Sequence, residues 1–249
     1  MSGHSKWKTN KSRKTAADAR KGAAYTKIIK EITVAAREGG GNSDTNVRLR
    51  TAIAKAKEAN MPSDNVKTAI LRGTGALPGV VYETVKYEAY GPGGVAILIE
   101  ATTDNKNRTT AELRNIMSKK GGNMAGSGAV NWMFSAKGYL LIEKSKAKED
   151  ELMAIALDAG AEDFKVDAKN YEIFTSPQDF EKVKQAVQDK GIDWQDAEIT
   201  MIPSSSIKLT GGTAKQLLGL VEALEEHDDV QQVYANFDIP DEILEESNT

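Results

Sequence analysis

The hydrophobic repeat of this chain changes at one place, and that change limits what the chain can fold into. Before Gly73, apolar residues return every three or four positions. From Val80 onward they return every second position. The first period is that of a helix with one buried face, and the second is that of a half-buried strand. Tyr25, Ile28, Ile29, Ile32 and Ala36 fall on one face of a helix expected over 15–37, with Arg20, Lys27, Lys30 and Arg37 on the opposite face. "GGGNSD" (39–44) breaks it. A second helix is expected over 44–59, marked by Val47, Leu49, Ile53 and Ala56. A short third helix carries Val66 and Ile70 and ends at Gly73. "GTGALPG" (73–79) reads as a linker. Residues 1–79 are therefore expected to form a small helical domain.

Beyond the linker, "VVYETVKYEAY" (80–90), "GPGG" and "VAILIEAT" (95–102) read as a hairpin. Thr109 and Glu112 match a capping box, which predicts a helix starting there and ending before Gly121. "GGNMAGSGAVNWMF" (121–134) reads as a Gly-rich loop running into a strand. Strand 138–144, helix 149–159, the hairpin "DFKV"/"NYEIFTS", helix 178–190 and strand 197–203 then follow in the order β-α-β-β-α-β, the ferredoxin-like unit. The remaining helix (213–226) and strand "VQQVYANFDI" are too short to fold alone. Segments 80–135 and 204–240 are accordingly expected to form one discontinuous α/β domain with 136–203 inserted, and 241–249 is an acidic tail. The fold class expected is α+β: an all-α N-terminal domain, then two ferredoxin-like α/β domains, one inserted in the other.

Charge divides the chain as sharply as periodicity does. Residues 1–72 hold 16 Lys/Arg and 6 Asp/Glu, a net of +10, whereas 73–249 hold 17 and 30, a net of -13. Such asymmetry points to a segment that faces a polyanion joined to an acidic body. Apolar runs such as Val95 to Ile99 are far too short for a membrane span, and no apolar stretch follows the basic start. The expected compartment is the cytoplasm, with no membrane partner. Absence of Cys removes disulfides, thiolate zinc sites and thiol nucleophiles.

Catalytic chemistry finds little to work with. The only histidines are His4, in the basic start, and His227, in "EEHDDV" at a helix end. A metal site needs ligands converging from several places, so that cluster reads as solvated acids at a helix terminus. No zinc-protease, nucleophile-elbow or P-loop motif is present. The Gly-rich loop leads into a strand rather than opening a helix, against a phosphate cradle. In "TDNKNRT" (103–109), Asn105, Asn107 and Arg108 crowd one strand-to-helix connection. Turn-making explains most of this, but the Arg could also bind a nucleic-acid phosphate or a partner carboxylate. The chain is expected to be no enzyme and to use no cofactor or metal.

The basic start suits phosphates better. Lys6, Lys8, Lys11, Arg13 and Lys14, followed by Arg20, Lys27 and Lys30, form a cationic strip if the tail docks beside the first helix. Trp7 among them could stack on an unpaired base or pack onto the bundle. Residues 54–70 have features of a helix-turn-helix. Its second helix, however, would lead with Ser63, Asp64 and Asn65, and a carboxylate there is repelled by phosphates.

"GHSKW" (3–7), "KIIKEITVAAREGGG" (27–41), "NVRLRTAIAKAKEANMP" (46–62), "YEAYGPGGVAILIEATTDNKNRT" (87–109) and "GGNMAGSGAVNWMF" (121–134) resemble the YebC/PmpR family. That family includes the mitochondrial translational activator of cytochrome c oxidase subunit I. The likeness runs from Gly3 to about Ile239, with "KTNK" (8–11) where many members carry "ANIK". It implies a helical domain followed by two α/β domains, one inserted in the other, in a cytoplasmic bacterial protein without established catalytic residues. It also implies one of two activities. One is DNA-binding transcriptional regulation. The other is ribosome-associated work in translation on ribosomal or transfer RNA, including relief of stalling on proline-rich sequences.

Overall fold

The computed structural model describes residues 18–240 and Ile243. Three helices come first: α1 (Asp18–Gly39), α2 (Val47–Glu58) and α3 (Ser63–Gly73). Their core is Ile32, Ala35, Ala36, Leu49, Ala52, Ala56, Met61 and Ala69, with Tyr25, Ile28 and Ile29 at its edge. Small residues dominate, so the helices approach closely. A Cβ on Gly73 would collide with the Thr33 carbonyl and lie 2.8 Å from the Ala36 Cβ. Asn46 joins two helix ends. Its side chain accepts from the Leu49 N–H (3.0 Å) as the N-cap of α2, and donates to the Ala35 and Gly40 carbonyls (2.7 and 2.8 Å). This cap starts α2 three residues later than periodicity suggests. Tyr25 caps the other end, donating its hydroxyl to the carbonyls of Ala59 and Asn60.

The bundle shares one compact unit (18–129 and 215–233) with most of a four-stranded sheet. Strands β1 (Glu83–Tyr90) and β2 (Ala96–Thr103) pair antiparallel over all eight residues, from Glu83↔Thr103 to Tyr90↔Ala96. Helix α4 (Lys106–Lys119) and strand β3 (Asn123–Ala125) follow, and the sheet order is β3-β1-β2-β9, with β9 being Val230–Ala235. Helix α7 (Gly211–Glu225) precedes β9. A Cβ on Gly91 would lie 2.8 Å from Leu217 and 2.9 Å from Ile97, which shows how closely α7 lies against the hairpin.

The second unit holds 130–214 and 234–240. It contains β4 (Phe134–Glu143), α5 (Glu149–Ala159), β5 (Ala161–Val166), β6 (Asn170–Thr175), α6 (Phe180–Asp189) and β7 (Asp196–Pro203). The sheet order is β5-β6-β4-β7, antiparallel throughout, which is the ferredoxin-like arrangement. Leu140, Ile142, Tyr171 and Ile173 bury one face against Leu152, Ala156, Phe180, Val183 and Val187 of the helices. On the other face Tyr139 and Phe174 sit directly opposite each other with ring centroids 5.4 Å apart. The Tyr139 hydroxyl donates to Glu172 (2.7 Å), whose burial raises its carboxyl above the ordinary value against the help of that bond. Two short strands, β8 (Ile207–Lys208) and β10 (Phe237–Asp238), pair parallel.

The fold is α+β, a helical N-terminal region followed by sheet domains. The two four-stranded sheets differ in connection: β4–β7 follow βαββαβ, whereas the other places its hairpin centrally and takes its last strand from the end of the chain. Among the described residues, no helix is long and apolar enough to cross a membrane.

The compact units divide at 130, 215 and 234. We propose that 136–203 is an inserted domain within a discontinuous one formed by 80–135 and 204–240. Limited proteolysis should then leave a folded fragment close to 136–203 while the flanking pieces stay associated. Pieces that separate once that fragment is released would contradict the nesting.

A candidate nucleic-acid interface and the carboxylate behind it

Several residues that the sequence marks for phosphate meet inside the protein, on a carboxylate that the sequence does not mark. Asp229 lies just before β9 and is buried, its side chain 4% exposed. A charge placed there must be compensated or it neutralises. Lys30 of α1 reaches one carboxylate oxygen at 2.5 Å, and Arg108 (2.9 Å) and the Thr109 hydroxyl (2.7 Å) of α4 share the other. Burial favours the neutral acid. The hydrogen bonds from Lys30, Thr109 and Arg108, with the Lys30 charge, outweigh it and hold the carboxyl well below the usual range. Arg108 also pairs with Asp104 at 2.8 Å, and these two carboxylates, Asp229 first, raise its own pKa.

The backbone around Asp229 is equally engaged. Its carbonyl accepts from Thr102 N–H (2.7 Å), which fixes the segment to the end of β2. Lys30 also donates to the Asp228 carbonyl (3.0 Å), and Lys27 to the Glu225 carbonyl (2.5 Å) at the C-terminus of α7. Helix C-termini present unpaired carbonyls and negative partial charge, so two cations from α1 cap this one. Lys30 Nζ also lies 5.8 Å from the centre of the Tyr82 ring, and Arg37 donates to the Tyr82 carbonyl.

His227 completes the cluster. Its Nδ1 accepts from the Asp229 N–H at 3.1 Å, so Nε2 carries the proton and donates to Glu112 at 2.9 Å. Donor atoms of Glu112, His227 and Asp229 lie within 4.8 Å of one another, close enough in principle for a metal. The chemistry does not fit one. Both ring nitrogens are used, both Asp229 oxygens are taken, and two cations stand beside them.

Of the residues marked from the sequence, Lys27, Lys30, Asn105, Asn107 and Arg108 have described side chains. Lys6, Trp7, Lys8, Lys11, Arg13 and Lys14 lie outside the described residues, and of Arg20 only the backbone, within α1, is described. Lys30 is buried at 7% exposure, spent on Asp229, and therefore not on the solvated face assigned to it; Lys27 is half-buried on the Glu225 carbonyl. Asn105 is the N-cap of α4, accepting from Arg108 N–H at 3.1 Å, and Asn107 is exposed in its first turn. The helix thus begins at Lys106 and not at Thr109. The Thr109 hydroxyl is buried, and besides Asp229 it contacts Thr103 (2.8 Å). The carboxylates that Arg108 binds here, Asp104 and Asp229, belong to its own chain. In the Gly-rich loop, Gly128 (φ +85°) points its N–H at the Glu88 carboxylate, 2.6 Å away. Asp229, Thr103 and Thr109 went unmarked as partners. The only signal for Asp229 was "HDDV", three polar residues at the entry to a buried strand, where the acids were expected to be solvated and Asp229 is instead buried.

Residues 82–237 match the family described as TACO1/YebC second and third domain, and residues 5–76 match the TACO1/YebC protein N-terminal domain. This chain belongs to the TACO1/YebC family. A protein of Dictyoglomus thermophilum named "Probable transcriptional regulatory protein" is 55% identical over 246 residues, spanning 98% of this chain and 99% of its own length. One of the same name from Acidobacterium capsulatum is 55% identical over 239 residues, spanning 96% and 97%. The crystal structure of a conserved hypothetical protein from Aquifex aeolicus superposes with a TM-score of 0.78 at 46% identity, over 90% of this chain and 92% of that one.

Replacing Asp229 by Asn leaves Lys30 buried without its counter-charge, which should cost about 3–5 kcal/mol at neutral pH. The folded carboxyl titrates below its ordinary value of 3.8, so its contribution is complete above that value and is lost as pH falls toward the folded one. In urea melts, the gap between wild type and Asp229→Asn should be constant near neutrality and close only below that value. A gap that is absent at neutral pH would show that the network contributes nothing.

Proposed function

We propose that this protein is a non-enzymatic regulator of gene expression that acts in the cytoplasm, needs no cofactor, and binds DNA through its basic N-terminal region. The observation that carries this is the charge of residues 1–72, 16 Lys/Arg against 6 Asp/Glu in a chain whose remainder is acidic. Phosphate neutralisation with counterion release supplies most of the affinity of such a region. The names of the Dictyoglomus and Acidobacterium relatives favour transcription as the process. The contacts are Lys6, Lys8, Lys11, Arg13, Lys14 and Arg20, with Trp7 stacking on an unpaired base. Lys30 leaves the set because its ammonium is buried on Asp229. Lys27 and Arg108 also have internal acceptors and are secondary to the tail, as are Asn105 and Asn107.

One observation favours RNA on the ribosome as a second reading. Helix α3 starts with the exposed residues Ser63, Asp64 and Asn65, and the Asp64 side chain is 89% exposed. That carboxylate bars α3 from leading into a DNA groove, whereas RNA is bound mostly by shape and backbone.

Replacing Lys6, Lys8, Lys11, Arg13 and Lys14 by Ala should lower the slope of log K against log salt on duplex DNA by about 4–5, at roughly 0.9 per phosphate. An unchanged slope would remove the tail from the interface. Sucrose-gradient fractionation separates the two readings. Co-sedimentation with ribosomes that survives DNase contradicts a DNA-only role. A gel shift confined to one promoter at physiological salt contradicts the ribosomal one.

A further inference from the structure

Lys27 and Lys30 of α1 are turned inward, so that helix offers a polyanion fewer cations than its sequence suggests. Helix α2 has the free ones. Leu49, Ala52 and Ala56 bury one side of it, and Val47, Arg50, Thr51, Ala54, Lys55, Lys57 and Glu58 are exposed. At 100° per residue, Val47, Thr51, Ala54 and, in the last turn, Glu58 run down the middle of the exposed face. Arg50 and Lys57 lie roughly 60–80° to one side and Lys55 about as far to the other. Val47 is 60% exposed.

Two of the nearby acids are already committed. Glu31 and Glu38 both bind Arg48, at 2.8 and 2.5 Å, and Glu31 leads in raising the Arg48 pKa. Lys55 and Lys57 form no ion pair among the described residues. Arg50 only donates to the carbonyls of Ser43 and Asp44, both at 3.2 Å. No acid lies in the first turn of α2, in contrast to α3. Asp44 precedes the helix and Glu58 closes the middle line of the face in the last turn, so the stretch of that line free of carboxylate runs from Val47 to Ala54.

We infer that α2 is the groove-entering helix of this protein and that its partner is duplex DNA. This rests on the DNA reading proposed above and names the surface that carries it. A helix seated in a groove can set small or apolar side chains such as Ala and Thr against thymine methyls, with cations on its flanks for the two phosphate walls. Val47, Thr51 and Ala54 supply the first; Arg50 and Lys57 on one flank and Lys55 on the other supply the second. The B-DNA major groove, about 12 Å wide, admits such a helix, and the deep, narrow major groove of A-form RNA does not.

The test uses the full-length protein and two labelled probes, a mixed-sequence DNA duplex and an RNA duplex of the same sequence. Fluorescence anisotropy is measured across a salt series, and circular dichroism melts confirm that each variant is folded. Joint replacement of Arg50, Lys55 and Lys57 by Ala should lower the DNA salt slope by about 2–3. Thr51→Glu, at an exposed position, adds a carboxylate to the middle of the face without removing a cation. It should weaken DNA binding by about tenfold or more and RNA-duplex binding far less. A triple variant that keeps the wild-type slope overturns the inference, as does Thr51→Glu weakening both duplexes equally. If wild type binds DNA in either case, this inference alone falls. A wild type that binds neither duplex overturns it together with the reading on which it rests.

Discussion

One buried carboxylate joins the helical front of this protein to its first sheet. Asp229 receives Lys30 from α1 and Arg108 and Thr109 from α4, while its backbone is fastened to the end of β2. An ion in such a place contributes little net stability beyond what an apolar replacement of the whole cluster would give. Removing a single member is what is costly, because the others stay buried and unpaired. The cluster therefore specifies an arrangement more than it adds stability. Lys30 on Asp229 helps fix α1 against the sheet, beside Lys27 on the Glu225 carbonyl and Arg37 on that of Tyr82.

The two sides of α1 explain what could and could not be read from the sequence. Its apolar stripe, Tyr25 to Ala36, was legible because a buried apolar face has a period. Its charged side was legible as charged but not as buried. A helical wheel gives the same picture for a solvated lysine and for one that meets an acid two hundred residues away. Thr109 shows the same limit more locally. Thr-x-x-Glu is a helix-start pattern, but Asn105 already caps α4, and the threonine hydroxyl instead reaches the buried network. The βαββαβ order of 134–203 was readable because each of its elements closes against a near neighbour. The placement of β9 beside β2 involves residues far apart in the chain, and only the size of the leftover segment hinted at it.

The same contrast governs charge. Over residues 1–72 the excess of cations is plain, but its distribution is structural information. Arg48 is paired with Glu31 and Glu38, Lys30 with Asp229, and Lys27 with a helix terminus. Arg50, Lys55 and Lys57 of α2 are left facing solvent. A count of cations thus overstates what α1 offers and understates what α2 offers. In the ferredoxin-like unit the opposite holds for an acid: Glu172 is buried with a tyrosine hydroxyl as its hydrogen-bond donor, and burial pushes its carboxyl up where that of Asp229 is pulled down.

A double-mutant cycle on Lys30 and Asp229 tests the central claim most directly, with Lys30→Met, Asp229→Asn and the double variant unfolded in urea at neutral pH. If the pair fixes α1 against the sheet, the double variant should be more stable than the sum of the single losses allows, by about 1–3 kcal/mol. Strictly additive losses would mean that the two residues do not act through each other, and the account of how the basic front is held would be wrong.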